Sequence, residues 1–209
     1  MDTKALHNEF ISIVKDNIKR DGIDNLMSFL ESTDFFKAPA STRYHGSYAG
    51  GLVEHSINVY YALEDTLQFL LGKNWSTRYS KETASIVSLF HDLCKIGRYK
   101  TEWKNVKNPE TGNWEEKMIY VYNDDYHNMG HGAKSVIILQ DYIALTDIEK
   151  EAIFWHMGAF DIGDYNTKSD LCKIYNKNTL AYALNRADGD ATFIIENEFF
   201  EPIPLEENN

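Results

Sequence analysis

The sequence predicts a mainly α fold with one β-hairpin inserted at about residues 98–123. Three features carry that expectation. Apolar residues recur at helical spacing over most of the chain. Cap signals such as Ser80 and the Thr146–Glu149 box stand where those stripes begin. Only between 98 and 123 does the period shift toward that of a strand.

In chain order, residues 5–20 and 22–32 read as two helices split by Asp21-Gly22. Residues 34–51 read as a loop with Pro39 and several glycines. From Leu52 a stripe of Val59, Tyr60, Leu63, Leu67, Leu70 and Leu71 predicts a long helix that Gly72 stops. Ser80 caps the next, with Glu82 in its first turn; Ile86, Val87, Leu89, Phe90 and Leu93 form its buried face, and Gly97 its C-cap. The hairpin turns at Asn108–Gly112. Helices follow over His131–Tyr142 and from Thr146, then a polar loop over 160–170, then a long helix from about Asn178 to Asn197. Residues 198–209 read as a fraying tail. No linker or repeat divides the chain, so one domain is expected: N-terminal helices over 1–38 and a core over 39–197.

With 209 residues, 43% of them hydrophobic and 25% charged, the chain can bury a core without disulfides or structural metal. Its 21 basic against 32 acidic side chains give a net charge of −11 and no basic run. That field disfavours long nucleic acid and anionic membranes. Small anions remain compatible, because a bound cation inverts the local sign. Two cysteines, no signal-type apolar segment and no spanning stretch make a cytoplasmic setting the expectation.

Four of the seven histidines fall on inward helical faces. His55 lies between Leu52 and Val59; His91 and Asp92 follow Val87, Leu89 and Phe90; His131 shares a face with Ser135 and Ile138; and His156 follows Ala152 by four. In the last helix Asp188 borders the stripe of Leu184 and Ala187, whereas Asp190 faces away. One inward histidine is commonly a core residue and one aspartate an ion-pair partner, here of Arg98 or Arg186. Four histidines and two aspartates together suit the imidazole–carboxylate set that binds first-row divalent metals.

The words around these residues are GGLVEHS at His55, HDLCKIG at His91, MGHGAKS at His131, WHMG at His156 and LNRADGDA at Asp188. Their order, over about residues 39–195, resembles the HD-domain superfamily of metal-dependent phosphohydrolases. Tyr44-His45 before GGLVEHS is most similar to the HD domains of 3′→5′ exoribonucleases, whose OB domain finds no room before residue 39. Cys94 stands where many members carry glycine.

The resemblance implies an HD-type helical bundle holding one or two divalent transition-metal ions: Mn, Fe, Co, Ni or Zn. It implies His55, His91, Asp92 and Asp188 as ligands of the first, and His131 and His156 of a second with Asp92 bridging. Asp92 and Lys95 would be catalytic, with His45, Arg43, Lys134 and Arg186 contacting substrate. The expected activity is hydrolysis of a small phosphorylated substrate, a nucleotide or short oligonucleotide ester. A non-catalytic nucleotide-sensing module is the alternative. Trp103, Trp114, Tyr120 and Tyr122 would either stack a base or pack the hairpin on the helices.

Overall fold

A computed structural model of the chain describes residues 2–108, 110–161 and 165–197. Its described residues form eight α-helices and one two-stranded sheet. Helix α1, Thr3–Asn17, starts where the Asp2 side chain accepts from the Lys4 amide at 3.0 Å. It buries Leu6, Phe10, Ile13 and Val14, a single helical stripe. Helix α2, Ile23–Ser32, adds Leu26 and Leu30.

Helix α3, Gly51–Leu71, is the axis of the molecule. It packs against α4, Lys81–Phe90, and α8, Thr179–Asp190. Most of its first three turns is buried, including Leu52, Val53, Ile57 and Val59, and only the stripe through Glu54 and Tyr61 is open. A helix so largely covered can carry polar groups inward only where something satisfies them. Helix α4 is equally enclosed: Ala84 through Phe90 are all buried. Its start follows the sequence reading, with Ser80 Oγ accepting from the Thr83 amide at 3.0 Å.

Strands β1, Tyr99–Lys107, and β2, Trp114–Tyr122, pair antiparallel with Tyr99 opposite Tyr122 and Trp103 opposite Met118. Helix α5, His131–Gln140, follows Gly130, and α6, Asp147–Phe154, opens on the Thr146–Glu149 capping box. Helix α7, Tyr165–Lys177, precedes α8. One contiguous apolar cluster runs from Leu6 to Ala191 and joins α1–α6 and α8. Among the described residues, no helix is long and apolar enough to cross a membrane.

Three expectations need correction. The polar loop read at 160–170 is α7 from Tyr165 onward; residues 162–164 lie outside the described residues. The segment's low apolar content hid a helix that packs on α8. The helix carrying the His91-Asp92 pair ends at Phe90, so Asp92 starts the separate 3₁₀ turn Leu93–Lys95. The last helix changes at Ala191 into a π-helical turn, Ala191–Ile195. The tail at 198–209 lies outside the described residues.

Candidate metal centre

Five chain segments deliver the centre. His55 sits on the second turn of α3, one turn in from the capping glycine. His91 caps the end of α4, and Asp92 and Lys95 frame the 3₁₀ turn beyond it. His131 opens α5, His156 follows the end of α6, and Asp188 lies in the last turn of α8. Placing four of these groups at helix ends lets side chains enter the core without forcing charges through a regular apolar face.

Two glycines permit the approach. A Cβ on Gly132 would stand 2.2 Å from the Phe154 carbonyl oxygen, so only glycine lets α5 meet the end of α6 closely enough to bring His131 beside His156. Their rings lie 5.3 Å apart, centre to centre. A Cβ on Gly51 would stand 2.0 Å from the Gly46 carbonyl oxygen. That contact folds the loop back on α3 and sets His45 4.9 Å from His55.

Asp92 is the hub. Its Oδ2 takes the Lys95 ammonium at 2.6 Å and faces Nε2 of His91 at 3.4 Å and of His55 at 3.7 Å. Its Oδ1 accepts from His131 Nε2 at 2.6 Å and faces His156 Nε2 at 3.7 Å. Asp188 Oδ1 closes the first side, 3.1 Å from His55 Nε2 and 4.0 Å from His91 Nε2. Donor atoms of a divalent ion bound at about 2.1 Å stand roughly 3.0–3.4 Å apart. Five of the observed spacings, 3.1–4.0 Å, match or somewhat exceed that range, whereas His131 to Asp92, at 2.6 Å, is a hydrogen-bond distance.

The hydrogen-bond inventory sharpens the fit. Nε2 of His55, His91 and His156 are all buried without a hydrogen-bond partner, although His55 Nε2 comes within 3.1 Å of Asp188 Oδ1. Nδ1 of each is engaged: His91 with the Ser88 carbonyl at 2.7 Å, His156 with the Ile153 carbonyl at 2.6 Å, and His55 with Glu196 at 3.0 Å. Each ring thus holds a proton on its outer nitrogen and turns Nε2 inward, where a bound cation would displace any second proton. Orphaned buried nitrogens are costly, and a cation is the partner that suits three at once. The residues present therefore fit a divalent metal.

His131 differs. Arg98 Nη1 lies 3.2 Å from its Nδ1, and a guanidinium only donates, so Nδ1 accepts and the proton stays on Nε2, facing Asp92. Burial opposes further protonation of His131, but Asp92 outweighs it and pushes the pKa up to about 9. The guanidinium works against that rise, and the geometry favours the singly protonated ring.

The field of the site favours a cation. Burial alone would raise the carboxyl of Asp92; the Lys95 ammonium, with His91 and His131, holds it well below the usual range. Asp188 is likewise lowered, against burial, chiefly by His55. Burial opposes charge on His55 too, yet Glu196 and Asp188 push its pKa up to about 10. Carboxylates that hold a proton there would also attract a divalent ion. Burial, then the neighbouring His55, lowers His45 to about 4, so it is neutral; both its ring nitrogens are buried without hydrogen-bond partners.

The other expected substrate contacts are dispersed. Arg43 is exposed in the loop before His45. Lys134 donates to the His127 carbonyl at 2.9 Å and sits 3.5 Å over the Tyr126 ring. Arg186 is 3.5 Å from Asp190 and lies over Phe69, so neither Arg186 nor Arg98 pairs with Asp92 or Asp188. Trp103 and Trp114, 62% and 70% exposed, do not pack the hairpin on the helices. Cys94 is buried, its sulfur 3.9 Å from Asp92 Oδ1.

Two neighbours of the site escaped the sequence reading. The sequence offers Arg98 only as an aspartate partner, whereas it meets His131, and Glu196 gives no signal because its position depends on the π turn. No family model, curated protein or solved structure matches the chain.

Proposed function

We propose that this chain is a divalent-metal-dependent phosphohydrolase of the HD type, acting on a nucleotide or short oligonucleotide phosphate ester. One observation carries the reading: three buried Nε2 atoms without hydrogen-bond partners converge on Asp92 and Asp188. The order of the HD-like motifs supports the hydrolytic assignment, and the net charge of −11 favours a small substrate over long nucleic acid.

His55, His91, Asp92 and Asp188 would hold the first ion, and His156, with His131 or without it, a second sharing Asp92. Bound there, a divalent cation supplies a hydroxide near neutral pH and neutralises phosphoryl oxygens. The chain's own groups do the rest. Lys95, buried and 2.6 Å from Asp92, keeps its charge because Asp92 raises its pKa against burial. It is placed to meet charge developing on a phosphoryl oxygen. His131, with its proton on Nε2 and Arg98 behind it, can donate a hydrogen bond to a departing oxygen. Neutral His45, beside His55, contacts the substrate from the loop side.

The purified protein is expected to bind Mn²⁺ and to hydrolyse a phosphodiester or nucleotide from a generic panel. Asp92→Ala and His91→Ala should each abolish turnover, with the far-ultraviolet circular dichroism preserved. Tight nucleotide binding without turnover under Mn, Fe, Co, Ni or Zn would assign a sensing module instead. Failure to bind any of these metals would overturn the reading.

A further inference from the structure

A metal-binding imidazole works only if its other nitrogen keeps the proton. His91 and His156 solve this locally, because each sits just past a helix end and uses the carbonyl three residues back. Ser88 and Ile153 lie in the last turns of α4 and α6, where carbonyls lack helical partners. His55 has no such carbonyl. It is embedded in α3, and Leu52, three residues back, already accepts from Ser56 Oγ at 3.0 Å and lies within a continuing helix. Its Nδ1 proton needs an acceptor from elsewhere in the chain.

That acceptor is Glu196, at 3.0 and 3.2 Å through its two carboxylate oxygens. Its side chain is 6% exposed, and Asn58 Nδ2 fixes it from the far side at 3.0 Å. The local geometry of the last helix explains how it gets there. In an unbroken α-helix the eight steps from Asp188 would turn Glu196 roughly 80° away from that residue's face. Through the π turn, closed by Glu196 N–H donating to the Ala191 carbonyl at 2.9 Å, each step is shorter by roughly 20°. Five such steps bring Glu196 back to within roughly 20° of Asp188. One helix face then faces both nitrogens of His55, with Asp188 Oδ1 3.1 Å from Nε2 and Glu196 at Nδ1.

Of the turn's own side chains only Ala191 is buried. Phe193, Ile194 and Ile195 are 56%, 41% and 53% exposed among the described residues. π turns are rare and concentrate at functional sites.

We infer that Glu196 is a positioning residue for the metal centre: it holds the proton on His55 Nδ1, so that Nε2 presents its lone pair, and the π turn exists to deliver it. The inference rests on the metal-centre reading above. Two measurements test it. Mn²⁺ titration should show Glu196→Ala binding roughly 10–100-fold more weakly than wild type, the usual cost of losing such a partner. Glu196→Gln, which keeps an acceptor oxygen, should recover most of the loss. Nitrogen NMR of histidine-labelled, Zn²⁺-loaded wild type should show the His55 proton on Nδ1 and none on Nε2, a readout that needs no variant.

Equal Mn²⁺ affinity in wild type and Glu196→Ala overturns the inference and leaves the metal centre standing; a His55 proton on Nε2 overturns the inference and also takes His55 out of the ligand set. A glutamine variant as weak as the alanine one assigns the effect to charge alone and also overturns it. A wild type that binds no metal overturns both readings together.

Discussion

Two buried polar clusters lie in this molecule, and they end their hydrogen bonds differently. In the first, Arg20 meets Glu149 through two contacts, 2.6 and 3.0 Å, reaches Glu82 at 3.3 Å and donates to the Ala144 carbonyl at 3.0 Å. Thr83 Oγ1 and the Thr146 amide donate to the remaining lone pairs of Glu149 at 3.0 and 2.8 Å. Every group there has its partner within the chain. In the second, three imidazoles point unpartnered nitrogens at Asp92 and Asp188. Both clusters bury charge, and both shift carboxylate pKa values downward. The difference is completion. A closed cluster fastens the segment after α1 to α4 and α6, whereas an open one is shaped for something the chain does not supply.

The largest expected effect breaks the closed cluster. Glu149→Gln leaves the Arg20 charge half-satisfied in a mostly buried place. Losing one partner of a fully buried pair costs about 3–5 kcal/mol; Glu82 and partial exposure of Arg20 reduce this to about 2–4 kcal/mol. The melting temperature should fall by about 5–15 °C. The pH dependence has a definite sign. Burial raises the Glu149 carboxyl, but Arg20 overrides burial and holds it below its usual value. Its contribution is therefore complete above about pH 4.3 and is lost as pH falls through the lowered value. Urea midpoints of wild type and variant should differ most near neutrality and converge in acid. A constant gap down to low pH would mean that the carboxylate charge is not what matters.

How much of this contrast the sequence revealed depends on distance along the chain. The Thr146–Glu149 box was legible because its partners are three residues apart, and the structure forms it. That Glu149 also holds Arg20, 129 residues away, was not. The inward histidines were legible because helical phase depends only on local spacing. Phase also singled out Asp188 over Asp190, and the structure sets Asp188 beside His55 and Asp190 beside Arg186. The same reasoning failed at Glu196, where a π turn resets the phase, and at α7, whose inward residues Leu171, Ile174 and Tyr175 are few in a polar segment. Mainly helical structure around one hairpin follows from patterns of a few residues; the order of contacts around Asp92 follows from helix ends meeting in space.

The next effect sharpens the open cluster. A ligand at about 100 times its Kd stabilises the folded state by about 2.7 kcal/mol, so Mn²⁺ should raise the melting temperature by about 5–10 °C. The Glu149→Gln variant should show the same rise from a lower start, because distant sites without shared partners add to within about 0.5 kcal/mol. Differential scanning calorimetry with and without the metal checks both. Superimposable wild-type curves would make the cluster an internally balanced one after all.

The smallest effect is the most discriminating. His156→Leu deletes one bond, Nδ1 to the Ile153 carbonyl at 2.6 Å, but also removes a buried nitrogen that lacks a partner. Leaving such a group unsatisfied costs about 1–3 kcal/mol, so the two changes nearly cancel. In EDTA the variant should stay within about 1 kcal/mol of wild type by urea unfolding. His131→Leu should lose more, because both nitrogens of that ring are engaged, by Arg98 at 3.2 Å and Asp92 at 2.6 Å, and its removal leaves Asp92 short of a donor. If His156→Leu is the more damaging of the two without metal, its Nε2 has a partner inside the folded chain. The unpartnered state that distinguishes this cluster from Arg20–Glu149 would then not exist in solution.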